Sequence, residues 1–259
     1  MIFLLIRTLP YFIPLIYLIS LKAIFYFTDY WFWLILPSII LFFLWFFLLK
    51  IRNSAITLTN LLPTIVYGFI ILFTGFLYLI ILEQTWIINL FLISWSFIFW
   101  LYLEAVFHNF YKTPKVYIVN LSNITLYSSI LIIFFISLAL LNFNIFLNWS
   151  KILIFIFLFL VYLILLYSIF LFNDWKIKRN QVFSFIISLI MIEFFIVITW
   201  LPFNFYISSL LSAILYYFLL MIVFLWNQQQ LNKKNFMRYL LFSLLLVIVV
   251  LSSAKMVLR

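Results

Sequence analysis

Cysteine is absent from this 259-residue chain. Disulfides, thiolate metal ligands and cysteine nucleophiles are therefore excluded. Glycine is nearly absent too: the chain has two, Gly68 and Gly75. Neither a phosphate-binding loop nor a dinucleotide fingerprint can be assembled from them. The H-E-x-x-H zinc motif and the G-x-S-x-G nucleophile elbow are also missing. Acidic residues number five and histidine one. No two acids lie close enough in sequence to hold a divalent ion for phosphoryl or prenyl transfer. Neither a cofactor nor a metal is expected, and an enzymatic role is disfavoured.

Charge of any kind is scarce, at 8% of residues. A soluble domain carries about 25%, because water must wet its surface. With 70% hydrophobic residues, 24% aromatic residues and a mean hydropathy of +1.36, most of this chain's surface must meet lipid. The net charge of +10 could suggest nucleic acid as a partner. The cations instead fall in short clusters between apolar runs, as topology signals do, so the expected partner is the bilayer.

Apolar runs of 17 to 25 residues suffice to cross a hydrocarbon core of about 30 Å. They occur near 9–27, 31–49, 61–82, 86–107, 121–141, 152–172, 182–200, 205–226 and 239–254. The expected fold is an all-α polytopic transmembrane helix bundle of nine spans, forming a single domain over 1–259. Eight spans and a surface-lying tail are the alternative, because the last run is short. It is apolar on every side, however, whereas an interfacial helix needs a charged face. The first run has proline near its start and no small-residue cleavage site, and reads as a retained helix.

Orientation follows from lysine and arginine. With the N-terminus cytoplasmic, that side collects Arg7, Lys50, Arg52, Lys112, Lys115, Lys176, Lys178, Arg179, Lys233, Lys234 and Arg238. The other side receives Lys22, Lys151, Lys255 and Arg259, so the fifteen cations divide eleven to four. Cytoplasmic loops hold the excess, which predicts N-in and C-out in a cell membrane. Trp31, Trp33, Trp86, Trp149, Trp175, Trp200 and Trp226 fall at span edges, where amphipathic rings settle.

Proline and glycine bear on mechanism. Transporters often break their helices at the substrate site with these residues. Here Pro10 and Pro14 lie near the start of the first span, Pro63 opens the third, and Pro114 and Pro202 belong to loops. Pro37 alone sits inside a span. Gly68 and Gly75, seven residues apart on one helical face, mark a position where a second helix packs closely.

Few residues are equipped for chemistry. In ISLIMIEFFIVIT, Glu193 stands about 10 Å from the outer end of the seventh span. Ionised, it costs about 3 kcal/mol at that depth, so it is either neutral or paired. Lys22, in LIYLISLKAIFYF, lies at matching depth. The sequence therefore predicts that spans one and seven are neighbours and that Lys22 faces Glu193. The alternative is a snorkelling Lys22 and a protonated Glu193.

A second group lies in LYLEAVFHNFYKTPK. Glu104 and His108 are one turn apart on one face, with Lys112 a turn further on. A carboxylate beside histidine can bind metal or shuttle protons. One histidine falls short of the three protein ligands usual for catalytic zinc. The expected role is an interfacial polar cluster. Hydroxyl stripes recur at Ser184 and Ser188, at Ser208 and Ser212, and at Ser122, Thr125 and Ser129, where they favour close helix packing.

The stretch from Glu193 through LPFNFYISSLLSAILYYFLL, a basic loop and a final short span resembles the C-terminal part of uncharacterised multi-pass proteins of small-genome bacteria. It covers about a quarter of the chain. The resemblance implies a membrane protein and carries no activity. Two functional expectations follow: a non-catalytic membrane subunit or scaffold, or a small-solute or proton-coupled transporter using Glu193.

Overall fold

The structure is a computed structural model, and it describes residues 2–52, 57–111, 120–146, 149–173 and 177–253. Among these residues there are nine α-helices, one 3-10 turn at Thr28–Tyr30 and no strand. The helices are α1 (Ile2–Ile24), α2 (Trp31–Arg52), α3 (Leu58–Leu79), α4 (Thr85–Tyr111) and α5 (Leu121–Phe146). They continue with α6 (Lys151–Phe172), α7 (Ile177–Trp200), α8 (Phe205–Asn227) and α9 (Lys233–Ser252). Each is long and apolar enough to cross a membrane. Backbone polar groups have no water to turn to in hydrocarbon, and a helix satisfies them internally. The chain is an all-α polytopic membrane protein.

The first and last helices begin earlier than the apolar runs suggest. α1 starts at Ile2 and takes in Arg7, and α9 starts at Lys233 and takes in Lys234 and Arg238. Long basic side chains let a helix continue past its apolar stretch into the headgroup region. The start of α9 is fixed by Asn232, whose side-chain oxygen accepts a hydrogen bond from the Asn235 backbone N–H at 2.8 Å. The α8 end is equally defined. The Gln230 N–H donates to the Leu225 carbonyl at 3.0 Å and the Gln229 N–H to the Trp226 carbonyl at 3.1 Å. Gln229 adopts φ 57°, a helix-terminating position where glycine is usual.

Pro10 and Pro14 lie within α1 and Pro63 within α3, so Pro37 is not alone inside a span. This corrects the expectation and has a visible consequence. A helical proline has no N–H for the carbonyl four residues back. For Pro10 that carbonyl belongs to Ile6, and the Trp45 indole N–H of α2 takes it at 2.9 Å. A defect in one helix thus becomes a polar tie to its neighbour.

The chain divides into two compact units, Met1–Ser128 and Ser129–Arg259, with the division inside α5. In the first, α1 packs on α2 and α4, and α3 packs on α4. Its core is aromatic, with Tyr17, Phe42, Trp45, Phe46, Tyr67, Trp95, Phe99 and Tyr102 all buried. In the second, α6, α7, α8 and α9 pack in sequence order. Ser243 is the one buried residue of α9 among those described; the helix packs by one side, with Val247 and Val250 half-buried against Ile198, Ile207 and Leu211, and turns the rest outward.

Candidate functional sites

The glycines of α3 mark where aromatic side chains from its neighbours enter. A Cβ on Gly68 would lie 2.7 Å from the Phe42 ring and 2.9 Å from the Tyr102 ring. A Cβ on Gly75 would lie 2.5 Å from the Trp95 indole and would also strike the Tyr17 hydroxyl. Each ring of α4 donates beside its glycine. The Tyr102 hydroxyl bonds the Thr64 carbonyl at 2.5 Å, and the Trp95 N–H bonds the Ile71 carbonyl at 3.0 Å. These carbonyls stand four residues before Gly68 and Gly75. Tyr17 adds a bond to the Leu72 carbonyl at 2.7 Å. Neighbouring side chains fill the space beside both Gly68 and Gly75. What fills the notches is ring and indole, where the sequence reading expects a neighbouring helix drawn close.

Glu104 and His108 come together as their spacing predicts, with His108 Nε2 2.9 Å from Glu104 Oε1. The third member is Arg7 of α1, whose Nη1 donates to the same oxygen at 2.6 Å. Lys112 lies outside the described residues. The guanidinium also donates to the Tyr11 hydroxyl at 3.0 Å and sits 4.9 Å from the Phe107 ring centre. Aromatic faces attract such a cation, and more so where water is displaced. Glu104 is buried, and its second oxygen, Oε2, has no hydrogen-bond partner. The sequence reading leaves Arg7 outside the first span and misses this pairing. Depth was the available signal: Arg7 and Glu104 both belong to the helix ends that the cation distribution assigns to one side.

Glu193 is exposed, on the side of α7 away from the buried Ser184 and Ser188. Around it on the same side Leu189, Ile190, Val197 and Trp200 are also exposed, Trp200 at 81%. Lys22 is exposed on α1. Lys22 belongs to the unit Met1–Ser128 and Glu193 to Ser129–Arg259. Neither has an ion-pair partner among the described residues of its own unit. A cleft of about 230 Å³ opens between the ends of α5, α6, α7 and α8, with Phe195 and Thr199 in its lining. Glu193 is not part of that lining.

No group of three or more histidine, aspartate and glutamate side chains placed to hold a metal occurs among the described residues. Glu104 and His108 offer two such ligands, engaged with each other and with Arg7. Compared with known proteins, the chain matches no family model, no curated protein and no solved structure.

Proposed function

We propose that this chain is a non-catalytic subunit of a larger assembly in a cell membrane, joined to its partner through the α7 face centred on Glu193. One observation carries the reading: a single carboxylate, exposed, in the middle of an otherwise apolar helical face. Facing lipid in ionised form it costs about 3 kcal/mol. A partner helix with a lysine or arginine at the same depth removes that penalty and gains a charge-assisted hydrogen bond. Two copies of this chain meeting through a two-fold axis would bring one Glu193 against the other, and like charges oppose that. The partner is therefore a different chain with a basic membrane helix. The transporter reading needs a polar cavity at Glu193, and the cleft beside α7 has other walls.

The test uses native-host membranes and three variants. Wild-type protein should run as an assembly heavier than the 31.5 kDa chain. Glu193→Gln and Glu193→Leu should release the chain from it while leaving abundance near wild type. A photo-crosslinker at Val197 should capture the partner, and one at Leu245 on α9 should not. The swap Lys22→Glu with Glu193→Lys tests the pairing expected from the sequence. No recovery is expected, and recovery would place the counter-charge in this chain. If Glu193→Leu instead raises abundance and no assembly is lost, the face meets only lipid and the reading fails.

A further inference from the structure

Hydroxyl groups in a membrane helix ordinarily satisfy themselves by donating to a carbonyl one turn back. In the unit Ser129–Arg259, Ser184, Ser188, Ser209 and Ser212 do so, at 2.7 to 3.1 Å. Six hydroxyls among the described residues of the same unit do not; Ser243 on α9 is one, and the other five are Ser137 on α5, Tyr162 and Ser168 on α6, and Ser208 and Tyr216 on α8. These last five residues are 0% exposed. They are close-set. The rings of Tyr162 and Tyr216 stack with centres 6.3 Å apart. The Tyr162 hydroxyl is directed at Ser137 and that of Tyr216 at Ser129, yet neither phenol closes a well-formed hydrogen bond. Ser208 lies two turns from Tyr216 along α8.

The same helices open outward at the end where α5 leads to α6. The 230 Å³ cleft there has Asn144, Lys151 and Thr199 among apolar walls. Its lining includes Leu140, Leu141 and Phe205, each about one turn from Ser137 or Ser208. Polar groups at the mouth and orphaned hydroxyls one turn behind its lining thus lie on the same helices.

We propose that the interior between α5, α6 and α8 is hydrated, with water entering through the Asn144–Lys151–Thr199 cleft and bridging Ser137, Tyr162, Ser208 and Tyr216. Buried water settles where several otherwise unsatisfied polar groups converge. Hydroxyls both donate and accept, so they suit a neutral ligand of the same kind. A cation would need charge compensation, and none of these side chains carries charge. The site is separate from the Glu193 face and stands or falls without it.

The chain supplies its own controls. Tyr17, Tyr67 and Tyr102 are also 0% exposed, but each donates to a carbonyl, those of Leu72, Thr125 and Thr64. X-ray radiolysis of the intact protein in lipid nanodiscs generates hydroxyl radicals from bound water itself. Tyr162 and Tyr216 should be oxidised about tenfold faster than the three controls, because radicals form beside them. Equal rates overturn the proposal. A second reading comes from Tyr162→Phe. In a hydrated site this change removes a water's partner and lowers the thermal midpoint in micelles. In a dry site it deletes an orphaned group, and an unchanged or raised midpoint overturns the proposal.

Discussion

Trp95 of α4 stands where a side chain on Gly75 of α3 would have to be, and its indole N–H bonds the Ile71 carbonyl four residues before that glycine. Seven residues away on each helix, Tyr102 and Gly68 repeat the arrangement in antiparallel register. Lipid tails are as apolar as leucine, so helices in a bilayer gain little from burying apolar surface against each other. Close contact and hydrogen bonds must supply the affinity. The two glycines provide both, by letting a polar-tipped ring reach backbone.

Gly75→Ala should therefore destabilise the unit Met1–Ser128 by about 1–3 kcal/mol, the usual cost of overpacking a filled core. Gly68→Ala should cost less, since its nearest ring atoms stand 2.7 Å or more from the added Cβ and those at Gly75 stand closer. Unfolding in mixed micelles measures both. Trp95→Phe with Gly75→Ala should give less than the sum of the single changes, because one contact is lost in each.

Trp45→Phe leaves the Ile6 carbonyl without a donor, since Pro10 has none to offer. The expected loss is about 1–3 kcal/mol, that of an orphaned buried acceptor. Pro10→Ala restores a helical N–H, and in that background the same change at Trp45 should cost clearly less. Equal losses in the two backgrounds would show that Trp45 acts through packing alone.

Arg7→Met strands a buried Glu104 carboxylate with His108 as its one remaining ion-pair partner among the described residues. Breaking a buried pair costs about 3–5 kcal/mol. Arg7 is one-third exposed at 33%, and solvent shares its charge, so about 2 kcal/mol is expected. Arg7→Met with Glu104→Gln should recover part of the loss. Thermal stability of the purified variants in detergent checks this.

Gln229→Gly should stabilise the chain by roughly 0.5–1 kcal/mol. It relieves a left-handed backbone position at the end of α8 that glycine adopts freely. Gln229→Ala should not.

The lack of cysteine makes orientation readable with single introduced thiols. Gln229→Cys, between α8 and α9, should react with an impermeant reagent only from the cytoplasmic side. Gln84→Cys, between α3 and α4, should react only from the outer side. Labelling from the same side would remove the odd number of crossings between them.

The sequence by itself determined the medium and the elements. Eight percent charge cannot wet a chain of this size, and nine apolar runs could satisfy their backbones in lipid only as helices. It also determined the Glu104–His108 contact, because one helical turn is a fixed geometry. Which faces meet was decided by tertiary structure. A soluble helix declares its inward side by contrast with its polar side. Where 70% of residues are hydrophobic, every side is apolar and that contrast is gone. Hence Arg7 as the partner of Glu104, the rings lodged at Gly68 and Gly75, and the outward turn of Glu193 were illegible until the helices were in place. Each depends on contacts between residues far apart in the chain, which no local periodicity encodes.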